Sequence, residues 1–348
     1  MGRTSSASCS SRGQDRSASG ASRAMRRSAA AAAAAAATPR SPSSRSDNGA
    51  SCSRPHNPPG LHRRRRTARV DLHCHSTASD GECLPAEVPR RANAAGLTAI
   101  ALTDHDTTAG VPEAAREGAA LGVRVVCGCE FSTRAPWGEL HVLGYFLDPD
   151  HAALQAFLTG TREARRRRGE QMVGKLQELG VAIALADVEE QAGGGAVGRP
   201  HVARALVERG VSADINEAFE RFLGRGRAAF VEKPLPTLAG VTQLVHEVGG
   251  VAVAAHLGER GTEGQIRQFA EQGLDGIEVR HPSHSSATEA RLTRIAERLG
   301  LALSGGSDWH GDTRFGDSHA PLGGLDIPLE WLERLEARRD EAARSATR

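Results

Sequence analysis

The chain has 348 residues, 39% apolar and 25% charged, which suits a soluble globular protein with a sizeable core. Aromatic residues make up only 3% of it, which argues against stacking platforms for single-stranded nucleic acid, and no run of 18 apolar residues marks a membrane span. The net charge of +2 is unevenly spread: residues 1–66 hold thirteen Arg and no Lys against Asp15 and Asp47, leaving −9 on the other 282 residues, as expected where carboxylates gather around cations.

Residues 1–66 are Ser, Arg, Ala, Pro and Gly with almost no large apolar side chain, so they are predicted to be a disordered tail. Three readings stay open for it: a basic arm touching nucleic acid, an organelle transit peptide, or a functionless or over-extended N-terminus. The six cysteines (9, 52, 74, 83, 127 and 129) include no CxxC pair and no secretory h-region precedes them, which predicts reduced thiols in a cytoplasmic protein.

From Arg69 the texture changes to short apolar runs alternating with helical stretches. RVDLH is followed by a helix near Pro85–Ala95, LTAIALTD by a helix near Val111–Leu121, and then come VRVVCGCEF and LHVLGYFL. Later GVAVAAH precedes a helix near Glu263–Glu271, LDGIEV a helix near Ala287–Leu299, and LALSGGSD closes the series. Strands alternating with helices predict an α/β fold built on a parallel sheet, either a barrel or doubly wound. Between these halves, residues 149–236 read as a helical insertion, which divides the chain into a tail (1–66), a first α/β part (67–148), the insertion and a second α/β part (237–345). Arg165–Arg168 falls in a helix of that insertion. It is read as a solvated charged face, with a phosphate-facing patch as the alternative.

The polar residues punctuate this framework. His73 and His75, on one face of the first strand, then Asp104–His105, Glu130, His141, His256 and Asp308–His310 lie at the ends of successive apolar runs. The carboxyl ends of strands are where parallel α/β folds build sites from several loops. So many imidazoles and carboxylates converging there predict a polynuclear metal site, since they would otherwise be buried unpaired. Nitrogen and oxygen donors without paired thiolates suit Zn, Mn or Fe. Cys74, on the opposite strand face, is assigned to packing, and Asp104 and Asp106 to orienting His105.

DLHCHSTASDG, LTDHDT, GCEFS, HVLGYF, GRPHVA, AAHL and GSDWHG follow one another in order over residues 69–325, and together they resemble the PHP (polymerase and histidinol phosphatase) family of metal-dependent phosphoesterases. That resemblance implies a distorted (β/α)7 PHP barrel with a trinuclear centre of divalent cations, Mn2+ first, with Zn2+ or Fe2+ as alternatives. Carried over by motif, it implies one cation on His73, His75, Glu130 and Asp308. A second would take Glu130 as a bridge with His141 and His201, and a third Asp80, His105 and His310.

Asp80 and the helical insertion resemble the branch of 3′,5′-nucleoside bisphosphate phosphatases and of the 5′-to-3′ exoribonuclease called ribonuclease AM. The implied activity is removal of the 3′-phosphate from a nucleotide such as pAp, with trimming of short RNA beside it. The partners implied are a small nucleotide and short RNA, with neither membrane nor protein partner. Two positions depart from the family pattern, Leu257 in AHL and Arg280 in IEVRHPSH. His256 is expected to supply a proton or contact phosphate, with orientation of a ligand as its alternative. Arg199 is expected to clamp the 5′-phosphate, and His284, more than His281, to touch substrate. Two rival readings stand beside this one: another phosphomonoesterase, such as a histidinol-phosphate phosphatase, and a non-catalytic nucleic-acid-binding protein using its arginines.

Overall fold

The computed structural model describes residues 68–313 and 319–346; the tail expected over 1–66, with its arginines and Cys9 and Cys52, lies outside them. The first apolar run forms β1 (Arg69–Cys74), buried from Val70 onward, and is followed by α1 (Glu87–Ala94), β2 (Ala99–Leu102) and α2 (Val111–Leu121). α2 ends at Gly122, whose φ of +71° is a left-handed cap that glycine adopts without Cβ strain. β3 (Arg124–Ala135) pairs in parallel with β2, which itself pairs in parallel with β1.

The parallel order then breaks. β4 (Gly138–Tyr145) follows β3 after two residues, and so short a connection permits only an antiparallel hairpin. β4 also runs antiparallel to β5 (Val251–Ala254), after which β6 (Gly276–Arg280) and β7 (Ala302–Gly305) resume parallel pairing. An eighth strand of two residues, β8 (Ile327–Pro328), adds antiparallel to the start of β1. The sheet order is β7-β6-β5-β4-β3-β2-β1-β8, and a parallel bridge between Cys74 and Trp309 brings the chain after β7 onto the end of β1. The result is a distorted, nearly closed α/β barrel of seven strands and one short addition. The parallel pairing expected of strand–helix units is interrupted at β4, where the hairpin fixes the direction.

Between β4 and β5 lie α3 (Ala152–Glu178), α4 (Leu185–Ala192), α5 (Arg199–Glu208), α6 (Ile215–Ala218) with a π-helical turn, and α7 (Leu238–Glu247). α3 has no single apolar stripe because its two ends serve different cores. Leu154 and Leu158 pack into the barrel's core, whereas Met172, Val173 and Leu176 join Val188, Val202 and Leu206 in a separate one. α8 (Glu263–Glu271) and α9 (Ser286–Leu299) cover β5–β7, and α10 (Leu329–Ala346) covers the opposite wall with Leu332 and Leu335 buried. No helix among the described residues is long and apolar enough to cross a membrane.

The arginine run on α3 is not one solvated face. Arg166 and Arg167 point outward to Glu189 and Glu163, but Arg165 is nearly buried against Asp106 and Arg168 is 7% exposed, donating from Nε to the carbonyl of Val231. A helix 27 residues long crosses from one core to another, and its buried side faces inward midway.

Candidate metal centre

The ends of β1, β2, β5, β6 and β7, the middle of β3 and the first half of β4 open on one cavity of about 430 Å³. Its floor is organised by Glu130 in β3, 1% exposed. One carboxylate oxygen, Oε2, lies 3.3 Å from His73 Nε2, 3.2 Å from His75 Nε2 and 3.1 Å from His105 Nδ1. The other, Oε1, lies 2.6 Å from His141 Nδ1 and 3.2 Å from His256 Nε2. Asp308 Oδ1 stands 3.3 Å from both His73 and His75, so the two histidines of β1 face the same pair of carboxylates. Asp80 Oδ1 reaches His310 Nε2 at 3.3 Å and lies 4.0 Å from His105 Nε2.

Five groups of donors lie close enough to share a cation, and three of them draw on the residues just described: His73, His75, Glu130 and Asp308; His75, Asp80, His105 and His310; and His105, Glu130 and His141. The other two are His73, Glu278 and His281, and Asp308, His310 and His319. Within them His73 Nε2, both ring nitrogens of His75, His105 Nδ1 and Glu130 Oε2 are buried without a hydrogen-bond partner. Each such atom costs about 1–3 kcal/mol unless something satisfies it, and atoms orphaned toward one another are what a cation would satisfy together. The donor set fits divalent metal.

The electrostatics lead to the same conclusion. Burial opposes ionisation of Glu130, Asp80 and Asp308, yet the surrounding imidazoles hold all three well below the usual carboxylate range. Burial likewise opposes charge on His75 and His141, yet their carboxylate neighbours push them up to about 10 and about 9. His105 goes the other way, to about 3, because burial and the neighbouring imidazoles outweigh the pull of Glu130 and Asp80. The pocket demands positive charge at its centre.

The local backbone is bent to serve this convergence. Of the four described non-glycine residues with positive φ, three line or adjoin the cavity: His256 at +32°, Asp308 at +50° and Asp106 at +52°. Strain of this kind persists where surrounding structure overdetermines it, typically at functional sites. Buried carboxylates hold the loops. Asp104 accepts from the Ser76 N–H at 2.8 Å and from the hydroxyls of Ser76 and Ser79, each at 2.7 Å. Asp71 accepts from the N–H groups of Ser307 and Gly323 at 2.9 and 2.8 Å, tying β1 to the chain beyond β7. The expected role of Asp104 and Asp106 as orienters of His105 is thus corrected: Asp104 fixes the loop after His75, and Asp106 pairs with Arg165, Nε to Oδ2 at 2.6 Å.

His201 stands apart from the donor groups. It sits at the third position of α5, and its Nδ1 accepts from the Gly198 N–H at 2.9 Å, a capping role. His256 occupies the place beside Glu130 and His141 that the motif reading gave to His201. Its Nε2 points at Glu130 rather than outward as a proton donor. His284 is also displaced from its expected role: its Nε2 accepts from the Gly258 N–H and its Nδ1 lies 2.9 Å from the Val279 carbonyl, whereas His281 lines the cavity, 3.4 Å from Asp308. Arg280 turns away to Glu289 and the ring of Trp331, and Leu257 is core, so neither departure from the motif pattern faces the centre.

Glu278 and His319 were missed. His319 carried no neighbouring motif; Nδ1 lies 2.7 Å from the Asp308 carbonyl. Glu278 was readable only as one more strand residue in GIEV, yet it is fully buried, with Oε1 3.1 Å from His73 Nδ1 and Oε2 accepting from the His256 N–H at 2.7 Å. One carboxylate thus orients His73 so that Nε2 faces the centre, and pins the strained backbone at His256. Glu278→Gln is expected to weaken cation binding about 10–100-fold, read by metal titration, while the barrel stays folded by circular dichroism.

Residues 71–157 match the family described as PHP domain. The chain is 36% identical over 256 residues to a 3′,5′-nucleoside bisphosphate phosphatase of Chromobacterium violaceum, covering 70% of this chain and 87% of that one. It is 34% identical over 249 residues to a 5′-3′ exoribonuclease of Haemophilus influenzae, covering 70% and 90%. Among solved structures, a metal-dependent phosphoesterase from Bifidobacterium adolescentis superposes with a TM-score of 0.71 at 32% identity, covering 78% of this chain and 96% of that one. With the barrel, the converging imidazoles and carboxylates and these likenesses in hand, the chain belongs to the PHP family of metal-dependent phosphoesterases.

Proposed function

We propose that this chain is a phosphatase removing the 3′-phosphate of 3′,5′-bisphosphonucleotides, pAp among them, and that it acts on short RNA from the 5′ end. The observation that carries this reading is a second, basic pocket of about 160 Å³ sharing Asp80, His105 and His141 with the metal centre. It is lined by Arg165, Arg168, Arg199 and Lys233. Two of these cations are already matched, Arg165 to Asp106 and Lys233 to Glu139 at 2.9 Å. The other two are not: among the described residues neither Arg168 nor Arg199 pairs with a carboxylate, and Arg199 lies over the rings of Phe219 and Phe230. A substrate with one phosphoryl group at the centre and another on these guanidiniums fits a nucleotide phosphorylated on both sides of its ribose. The names of the relatives from C. violaceum and H. influenzae support the same class.

In this reading the cations are held by His73, His75, Glu130 and Asp308, by Asp80, His105, His310 and His75, and by Glu130 and His141 with His256. Bound divalent metal supplies Lewis-acid polarisation of phosphoryl oxygens and a water acidic enough to ionise near neutral pH. The chain's own contribution is orientation. Arg168 and Arg199 fix the 5′-phosphate, which places the 3′-phosphoryl group over Glu130. In-line displacement then sends the departing ribose oxygen toward the basic pocket, and the attacking oxygen approaches from the wall carrying His281 and His319.

Arg199→Ala provides the test. It is expected to lower kcat/KM for adenosine 3′,5′-bisphosphate by about 10–100-fold, the worth of one charge-assisted phosphate contact, and to leave adenosine 3′-monophosphate almost unchanged. Equal losses on both substrates, or turnover of histidinol phosphate with none of the bisphosphate, would rule the reading out.

A further inference from the structure

Beyond the basic pocket, on the side away from the metal centre, a further cavity of about 280 Å³ shares Glu139, Arg168, Arg199 and Lys233 with it and adds Arg225, Arg260, Trp137, Phe230 and Glu232. We propose that this cavity is a second anion subsite, which receives an additional phosphoryl group attached to the 5′-phosphate of the substrate. The inference rests on the bisphosphate reading above.

The charge inventory carries it. Glu139 is occupied by Lys233 at 2.9 Å and by His141 at 3.2 Å, and Glu232, largely in solvent, faces Arg225 at 3.4 Å. Both acids of the cavity are therefore already matched. Arg168, Arg199 and Arg260 are not paired with either: Arg168 donates to a backbone carbonyl, Arg199 lies over Phe219 and Phe230, and Arg260 lies 5.8 Å from the Trp137 ring centroid. Burial, with Arg199 as a neighbour, brings Arg168 down to about 10, and the opposing pull of Glu139 does not make up for it.

Keeping cations close together in partly buried surroundings is unfavourable unless an anion joins them. Arg168 and Arg199 line both cavities, so a 5′-phosphate held between them in the first would have its distal oxygen at the entrance to the second. A second phosphoryl group on that oxygen would enter a space bordered by Arg225 and Arg260 without moving the first. The ring faces of Trp137 and Phe230 hold guanidiniums in place by cation–π contact, leaving their N–H groups for phosphate oxygens.

The ligand chemistry is a 5′-diphosphate, on a free nucleotide or on an RNA end, and two substrates separate the sources. Adenosine 5′-diphosphate 3′-phosphate and a 5′-diphosphorylated trinucleotide are compared with their 5′-monophosphorylated counterparts, using the wild-type chain and an Arg225→Ala, Arg260→Ala double variant. The proposal expects wild-type kcat/KM for at least one diphosphate to equal or exceed that for its monophosphate. It also expects the double variant to lower that value about tenfold, in the range of one charge-assisted contact, while changing the monophosphate less than twofold. The substrate that responds identifies the source. Diphosphates that are both turned over at under a tenth of the monophosphate rate, or a double variant that changes the two classes equally, would overturn it. Failure of the bisphosphate reading is distinct, because then the 5′-monophosphates would not be hydrolysed either.

Discussion

Glu130→Ala is expected to abolish phosphatase activity, by about 10³-fold or more, equivalent to about 4 kcal/mol of lost transition-state stabilisation, and to lower the bound metal at the same time. Five imidazoles converge on this carboxylate, three on Oε2 and two on Oε1. It belongs to two of the donor groups that could each hold a cation. Removing it leaves His73, His75, His105, His141 and His256 facing one another without the charge that organises them. Breaking a buried charged arrangement by deleting one partner costs about 3–5 kcal/mol, so the metal-free variant should also melt earlier. Metal analysis, kcat/KM on adenosine 3′,5′-bisphosphate and a thermal melt read the three effects. Glu130→Gln, which keeps the shape and discards the charge, should reproduce the loss of metal with a smaller loss of stability.

The second large effect concerns a glycine. Gly306 follows β7 where the chain closes against β1, and its N–H donates to the Arg280 carbonyl at 3.1 Å. A Cβ there would collide with the Cβ and backbone nitrogen of His73 and lie 2.8 Å from its Cα. None of these is a flexible chain end that could swing aside, so Gly306→Ala must push the end of β7 away from β1. Overpacking of this kind costs about 1–3 kcal/mol or more, and here it also moves His73 relative to Asp308. The expected outcome is a lower melting temperature together with loss of cation binding. Gly264→Ala makes the control, since its added Cβ meets nothing within 4 Å, and it should leave both properties in place.

Much of this was legible in the residues, and for a physical reason. Strand ends in an α/β barrel converge whatever the loops do, so apolar runs ending in His, Asp or Glu predicted a shared centre without contact information. His73, His75, His105, Glu130, His141, His256, Asp308 and His310 follow from this pattern, Asp80 from the family resemblance alone, and they do lie together. The errors have a common cause: each depends on direction, which periodicity does not carry. Whether Arg165 and Arg168 face solvent depends on which cores α3 joins. Whether His201 or His256 stands beside Glu130 depends on how the turn after β5 bends at a positive φ. His281 and His284 differ by three residues at the same strand end, and only the turn decides which faces the cavity. Glu278 illustrates a deeper limit: an acid within an apolar strand reads as an exception to the pattern, and its partner lies 205 positions away. The eighth strand, two residues long, is too short to leave a periodic signal.

The most direct test of the account is a titration of the metal-free chain with Mn2+, following phosphate release from adenosine 3′,5′-bisphosphate and identifying the nucleotide that remains. The account predicts no release under exhaustive chelation, activity that rises with bound cation to three per chain, and adenosine 5′-monophosphate as the product. Release that persists under chelation, or adenosine 3′-monophosphate as the product, would contradict it.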